Sequence, residues 1–155
     1  MRHLPVASFV TVAVLAGHAP RPARAALPAD SACALLSPAD IAKAISWNVG
    51  AGTAGPPIPG VLGKCTWATS DNARVIVTLT DARHADITLN AQTRTGAKPV
   101  AGLGTKAVSW PAADVTGGWI VTVEDAKGGF GVSVLGRSAT TNNAIALAKL
   151  VESRR

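Results

Sequence analysis

The sequence predicts an α+β fold, a two-layer sandwich in which an antiparallel sheet of about five strands carries an N-terminal and a C-terminal helix on one face. Three observations predict this fold. Several segments alternate apolar and polar residues, as half-buried strands do. Turn-forming residues separate most of these segments, and a capped amphipathic segment stands at each end of the strand-bearing region. We expect residues 26–155 to form one such domain.

Residues 1–25 have the pattern of a signal peptide. Arg2 and His3 precede an uncharged run from Leu4 to Ala16, and Ala23-Arg24-Ala25 supplies small residues at the two positions that a signal peptidase reads. This pattern predicts cleavage after Ala25. The protein is therefore expected to be periplasmic or secreted.

No membrane anchor is expected. Leu15-Ala16-Gly17 has the form of the start of a lipoprotein processing site, but His18 stands where the lipid-bearing cysteine would follow. The apolar run of the leader is shorter than the ~20 residues needed to cross a bilayer. Because no later segment is longer and free of charge, the sequence predicts no transmembrane helix and no lipid anchor.

The first helix is predicted from its start signals. Ser37 is a good N-cap, Pro38 suits the first helical position, and Asp40 favours the positive end of the helix dipole. Ile41 and Ile45 then lie one turn apart on an apolar stripe. We expect a helix from about Pro38 to Ser46.

The segment from Gly50 to Gly63 is predicted to be a loop, since its glycines and prolines are too dense for a helix or a central strand. A loop of this length is either functional or merely flexible, and the sequence leaves both open. Pro56, Pro57 and Ile58 are its candidate binding residues.

The remaining strands and helices follow in order. Alternation predicts strands over 65–69, 74–80, 105–110, 119–124 and 130–135, the first two forming a hairpin across Ser70-Asp71-Asn72. The segment 81–92 fits either a strand or a short helix after an Asp81 cap, and we favour the helix. A final helix is capped by Thr140 or Thr141 and carries an apolar stripe that ends at Val151.

Alternation also divides the strand residues between the two faces of the sheet. One face is expected to pack under the helices, and it holds Trp67, Val75, Val77, Leu79, Trp119, Val121, Val123, Phe130, Val132 and Val134. The opposite face is expected either to be bare to solvent or to be a binding platform. It holds Thr66, Ala68, Arg74, Ile76, Thr78, Thr80, Ile120, Thr122, Glu124, Ser133 and Leu135.

Charge argues against a nucleic-acid partner. The chain has 15 Lys and Arg against 9 Asp and Glu, and the basic count falls to 12 once Arg2, Arg21 and Arg24 leave with the leader. The remaining charges are scattered, without the basic run or the aromatic-interleaved basic cluster that nucleic-acid binding uses.

Cys33 and Cys65 are the two cysteines, and in an exported chain they most simply form one disulfide. A redox pair or a metal site is the alternative. Zinc prefers four ligands, and His84 is the only histidine outside the leader, so no metal and no other cofactor is expected.

Four short motifs follow one another along the chain: Cys33, then Leu35-Leu36-Ser37, then Cys65-Thr66-Trp67, and then Val100-Ala101-Gly102-Leu103-Gly104 with Ala107. Followed by paired strands and a closing helix, this order resembles small secreted or lipid-anchored bacterial domains of unknown function. It is also similar to extracellular sensor domains attached to some bacterial Ser/Thr kinases. The resemblance implies a Cys33 to Cys65 disulfide, helices on one side of a sheet, and no catalytic residue.

Two functions are compatible with these features. The first is a non-enzymatic domain of the bacterial cell envelope that binds a small ligand or an envelope protein. Its candidate contacts are the Gly50 to Gly63 loop and two tryptophans beside Gly/Pro-rich segments, Trp47 and Trp110. The second is a small secreted hydrolase in which His84 acts with a neighbouring carboxylate, Asp81 or Asp86.

Overall fold

The computed structural model describes residues 29–112 and 117–155. The predicted leader and its cleavage site after Ala25 lie outside these residues. Three helices follow a short 3-10 turn at Ala29–Ala32, and they are α1 (Pro38–Ile45), α2 (Ala82–Arg94) and α3 (Thr141–Ser153). The strands are β1 (Thr53–Ala54), β2 (Val61–Ala68), β3 (Arg74–Thr80), β4 (Lys98–Pro99), β5 (Lys106–Pro111), β6 (Gly118–Asp125) and β7 (Gly128–Leu135).

The strands form one sheet in the order β1-β2-β3-β7-β6-β5-β4, and every neighbouring pair is antiparallel. The sheet thus has seven strands, and the prediction of about five was wrong. The five long strands were recognised, but β1 and β4 were not. Each has only two residues and lies in a Gly/Pro-containing segment, so neither shows an alternating pattern that a sequence window can detect.

The predicted division of strand residues between the faces is confirmed. Cys65, Val77, Val132 and Val121 are paired across four neighbouring strands, so they share one face, and the next row along that face includes Trp67 and Val75. All six side chains are buried. This face, called the core face below, packs against α1 and α3, whose buried residues are Ile41, Ile45, Ala144, Leu147, Ala148 and Val151.

The third helix changes the architecture. Thr80, Gly129 and Glu124 are paired across β3, β7 and β6 on the opposite face, and a Cβ added at Gly129 would overlap the Cβ of Ala85 in α2. On the same face, Lys106 Nζ donates a hydrogen bond of 3.1 Å to Asn90 Oδ1 of α2. The sheet therefore lies between α1 with α3 on one side and α2 on the other, so the predicted two-layer arrangement was wrong.

The second face of the sheet was expected to be bare to solvent or to be a binding platform. Instead, α2 covers part of it. The helix lies over β5, β6 and β7 and buries Val108 and Thr122 beneath it. Farther along the strands, Ile76, Ser133 and Ile120 form a row that is only partly buried. The second face is thus half covered and half accessible.

The helix caps predicted from the sequence are confirmed. Ser37 and Asp40 form a capping box at α1, Asp81 accepts a hydrogen bond from the His84 amide at α2, and Thr140 caps α3. The α1 helix ends at Ile45 because Ser46 adopts the left-handed conformation with φ 60°.

Cys33 and Cys65 form a disulfide with a Cα–Cα distance of 5.0 Å. Cys65 is fully buried in the middle of β2, whereas Cys33 follows the 3-10 turn, so the bond joins the start of the described chain to the sheet. None of the helices in the part of the chain that the structure describes is both long enough and apolar enough to cross a membrane.

Candidate functional site

The segment from Gly50 to Gly63 is more restrained in position than an unstructured loop of the same length would be. Thr53 pairs with Thr66 and Ala54 with Cys65, so β1 fixes the middle of the segment to the edge of the sheet. Gly52 lies directly against Cys65 and Trp67, where a Cβ would come within 2.7 Å of the sulfur and of the indole nitrogen. A larger residue at this position would not fit, and the segment is held where the disulfide meets the sheet.

After β1 the chain turns back into β2 through four exposed residues, Pro56 to Pro59. The turn is closed by a 3.0 Å hydrogen bond from the Val61 amide to the Ile58 carbonyl. Prolines restrict φ at three of these four positions, so Ile58 is presented on a stiff rather than a flexible turn. Its side chain is 44% exposed.

The turn contacts the N-terminus of α2 through Gly60. Gly60 has φ +79°, and a Cβ at this position would overlap the imidazole of His84. Glycine is required here both for the positive φ and for the close approach of the ring. A 3.4 Å hydrogen bond from the Asp81 amide to the Gly60 carbonyl joins the same two segments.

The orientation of the His84 ring follows from its other contact. His84 Nδ1 lies 2.9 Å from Asp81 Oδ1, and the same oxygen accepts the His84 amide at 2.8 Å. The backbone hydrogen bond from His84, followed by the one from its ring, lowers the pKa of the Asp81 carboxyl below its ordinary value. An ionised carboxylate can only accept, so Nδ1 carries the proton and Nε2 is the nitrogen turned toward Gly60.

Among the residues that the structure describes, the two exposed large apolar side chains lie on these same two segments. Ile58 precedes Gly60 by two residues, and Ile87, which is 53% exposed, follows His84 by one turn of α2. We call this surface the corner patch and define it as Pro56, Pro57, Ile58, Pro59, His84 and Ile87. The predicted candidates Pro56, Pro57 and Ile58 all belong to it.

Ile87 was not among the residues predicted to bind. A signal for it was nevertheless present in the sequence, because Ala85 and Leu89 define the buried stripe of α2, and a residue two positions from each points away from that stripe. An isoleucine on the exposed side of an amphipathic helix is the feature that identifies it.

The two tryptophans do not join the corner patch. Trp47 lies beyond the other end of β2, where Gly50 donates to the Ala68 carbonyl, and it packs partly buried against the core. Trp110 lies on β5 in the partly accessible row of the second face, beside Ile120. The predicted binding residues therefore occupy three separate places in the fold.

The reactive groups in contact at the corner patch are the His84 imidazole and, beside it, the Asp81 carboxylate. Within residues 29–112 and 117–155, no three His, Cys, Asp or Glu side chains come together as a metal-ion site would require. The His84–Asp81 pair has the geometry of a general base and its orienting group. The backbone of Gly60, however, lies against the nitrogen that would take the proton.

Comparison of the chain with protein-family models, with curated proteins and with solved structures finds no match in any of the three.

Proposed function

We propose that the protein is an exported, non-enzymatic domain of the bacterial cell envelope that binds another envelope protein through the corner patch. The observation that carries the proposal is the placement of both exposed isoleucines, Ile58 and Ile87, on two segments that meet at the His84–Gly60 contact. Large apolar side chains that are exposed on neighbouring segments are candidates for a protein-binding site. A sensor-type role, as the resemblance of the sequence suggests, is in keeping with such a surface.

The stiffness of the patch supports the same function. The turn that carries Ile58 is restricted by three prolines, fixed to the sheet by β1 and braced by His84. Ile87 lies on a helix whose first turn is capped by Asp81. Because neither isoleucine has to be ordered when a partner arrives, little conformational entropy is lost on binding.

Capture of partners from an envelope extract tests the proposal. The oxidised full chain is used as bait beside Ile58→Asp and Ile87→Asp, which place a charge in the patch. Ser138→Asp is the matched control, since it adds the same charge at an exposed position after the far end of β7, away from the start of α2. We expect a partner that the wild type and the control retain and that both isoleucine variants lose. Equal retention by all four proteins would reject the corner patch as the binding surface.

A second candidate function is hydrolysis with His84 as general base. The observation in its favour is the 2.9 Å contact between His84 Nδ1 and Asp81 Oδ1. Assay of the wild type and His84→Ala against a panel of activated esters decides this point. If His84→Ala hydrolyses an ester as fast as the wild type does, His84 is not the general base and this alternative is rejected. If the variant loses an activity that the wild type has, hydrolysis replaces binding as the proposed function.

A further inference from the structure

A second candidate surface lies on the other side of the sheet, between α1 and α3. The two helices enclose a shallow groove of about 480 Å³, which falls in the range of small ligand sites. Its walls come from α1 through Lys43 and Ala44 and from α3 through Ala146, Lys149 and Leu150. Two of these residues, Ala146 and Leu150, are partly buried and also pack against the core.

The groove carries an excess of positive charge. Asp40 is the one acidic residue that lines it, and both of its carboxylate oxygens are engaged by Arg154 at 2.6 and 2.7 Å. Lys43 and Lys149 also line it and are exposed. Among the described residues, neither lysine takes part in an ion pair. Two like charges at one groove repel each other, and a bound anion would relieve that repulsion.

The lining of the groove also includes three apolar residues. Ala44 and Ala146 have side chains too small to fill the space above them, and Leu150 adds an aliphatic wall. A ligand that matches this surface carries negative charge at its edges and a small apolar group between them. Surfaces with complementary charge at the rim gain mainly association rate and selectivity, and the apolar centre supplies affinity.

From this charge complementarity we propose that the α1–α3 groove binds an acidic segment of a partner protein, with carboxylates opposite Lys43 and Lys149 and a small apolar side chain above Ala44 and Ala146. An anionic membrane fits less well. Membrane-surface binding uses large apolar side chains that enter the interface, and the exposed ones, Ile58 and Ile87, lie outside the groove. This site is independent of the corner patch.

The test measures binding of a defined probe to the full chain with its disulfide intact. The probe is a fluorescein-labelled peptide of repeated Glu-Ala-Ala-Leu-Glu units, followed by fluorescence anisotropy, and its partner probe has Gln in place of every Glu. The variants are Lys43→Glu, Lys149→Glu and their combination. Lys98→Glu is the matched control, because it reverses the same charge on the exposed edge strand β4, away from the groove.

We expect the acidic peptide to bind, with each single reversal weakening it roughly fivefold and the double reversal at least about twentyfold. Lys98→Glu should bind as the wild type does, and raising the salt from about 50 to about 300 mM should weaken the wild-type complex. Equal binding of the Gln peptide, or an equal loss in Lys98→Glu, would overturn the proposal. Binding of phosphatidylglycerol vesicles or of a single-stranded oligonucleotide in place of the peptide would also overturn the proposal.

The corner-patch variants Ile58→Asp and Ile87→Asp should bind the peptide normally, which separates this result from the envelope capture.

Discussion

The guanidinium of Arg154 meets the carboxylate of Asp40 through two hydrogen bonds of 2.6 and 2.7 Å, one from each of its terminal nitrogens. The same guanidinium donates to the Leu35 carbonyl at 2.9 Å. Arg154 caps the end of α3, and Asp40 lies in the first turn of α1. One side chain therefore joins the end of the last helix to the start of the first.

Arg154→Ala is expected to lower the Tm at neutral pH, and the loss should depend on pH. The hydrogen bonds from Arg154, together with those from Ser37, hold the pKa of the Asp40 carboxyl well below its usual range. A carboxyl with a lowered pKa stabilises the folded state above the unfolded value of about 3.9, and this contribution is lost as the pH falls toward the folded value. The gap in Tm between wild type and variant should therefore narrow in acid, as calorimetry at a series of pH values can show.

Arg137→Ala is the control for that measurement, since Arg137 is exposed and forms no ion pair with any residue that the structure describes. Its Tm should follow that of the wild type at every pH. A gap for Arg154→Ala that stays constant from neutral pH to about pH 2.5, below the unfolded pKa of Asp, would show that the ion pair does not contribute.

Gly129 and Gly131 on β7 should respond differently to alanine. A Cβ at Gly129 would overlap Ala85 and push α2 off the sheet, whereas at Gly131 the nearest atoms, Thr122 Oγ1 and the Val121 carbonyl, are 3.9 Å away. We expect Gly129→Ala to lower the free energy of unfolding by about 1 to 3 kcal/mol. Gly131→Ala should change it by less than about 0.5 kcal/mol. Urea titrations of the two variants make the comparison, and equal losses would contradict the placement of α2.

Removal of the disulfide should destabilise the protein without displacing its secondary structure. The bond closes a loop with a sequence separation of 32 residues, for which the chain-entropy account gives about 3 to 4 kcal/mol. Cys33→Ala with Cys65→Ala should lose that amount in urea, and the amides around Thr53 should exchange faster. Mass spectrometry of the native protein checks the bond itself. Two alkylated cysteines under non-reducing conditions would rule it out.

α2 should be less protected than α3 in hydrogen exchange. It is fixed to the sheet by two fully buried side chains, Ala85 and Leu89, whereas α3 buries four. Leu89→Ala should cost about 2 to 3 kcal/mol and release α2 while the core strands stay protected. Leu147→Ala in α3 is the comparison, and it should lower protection throughout the molecule. Uniform loss of protection in Leu89→Ala would show that α2 is part of the global unfolding unit.

The sequence allowed the long strands, their faces and the helix caps to be predicted because each depends on local pattern. Val77 and Leu79 alternate with Thr78 and Thr80, and Ser37 and Asp81 are strong N-caps wherever they stand before a helix. The side of the sheet on which α2 lies could not be predicted from local sequence pattern. That side is set by the path of the chain from β3 to the far edge and by the space that Gly129 leaves, and both are properties of the assembled sheet.

The candidate site was predictable only in part for a related reason. Pro56, Pro57 and Ile58 were recognised from composition, which indicates an exposed turn. Their proximity to His84 depends on the return of β3 to the start of β2 and on the fit of Gly60 to the ring. Trp47 is a residue whose local sequence does not decide whether it is exposed or packed against the core. An aromatic residue beside a glycine-rich loop has the same local signature whether it faces solvent or, as here, packs against the core.

The strand order also has a consequence for the growing chain. The disulfide loop runs from Cys33 to Cys65 and is complete before β3 is made, so an unfinished chain that emerges from its N-terminus can oxidise early. The other edge of β3 pairs with β7, the last strand to be made. Until β7 arrives, a long apolar strand stands open to other chains. The short edge strands β1 and β4 of the finished sheet do not cover β3 in that interval, which is when a holding chaperone would matter most.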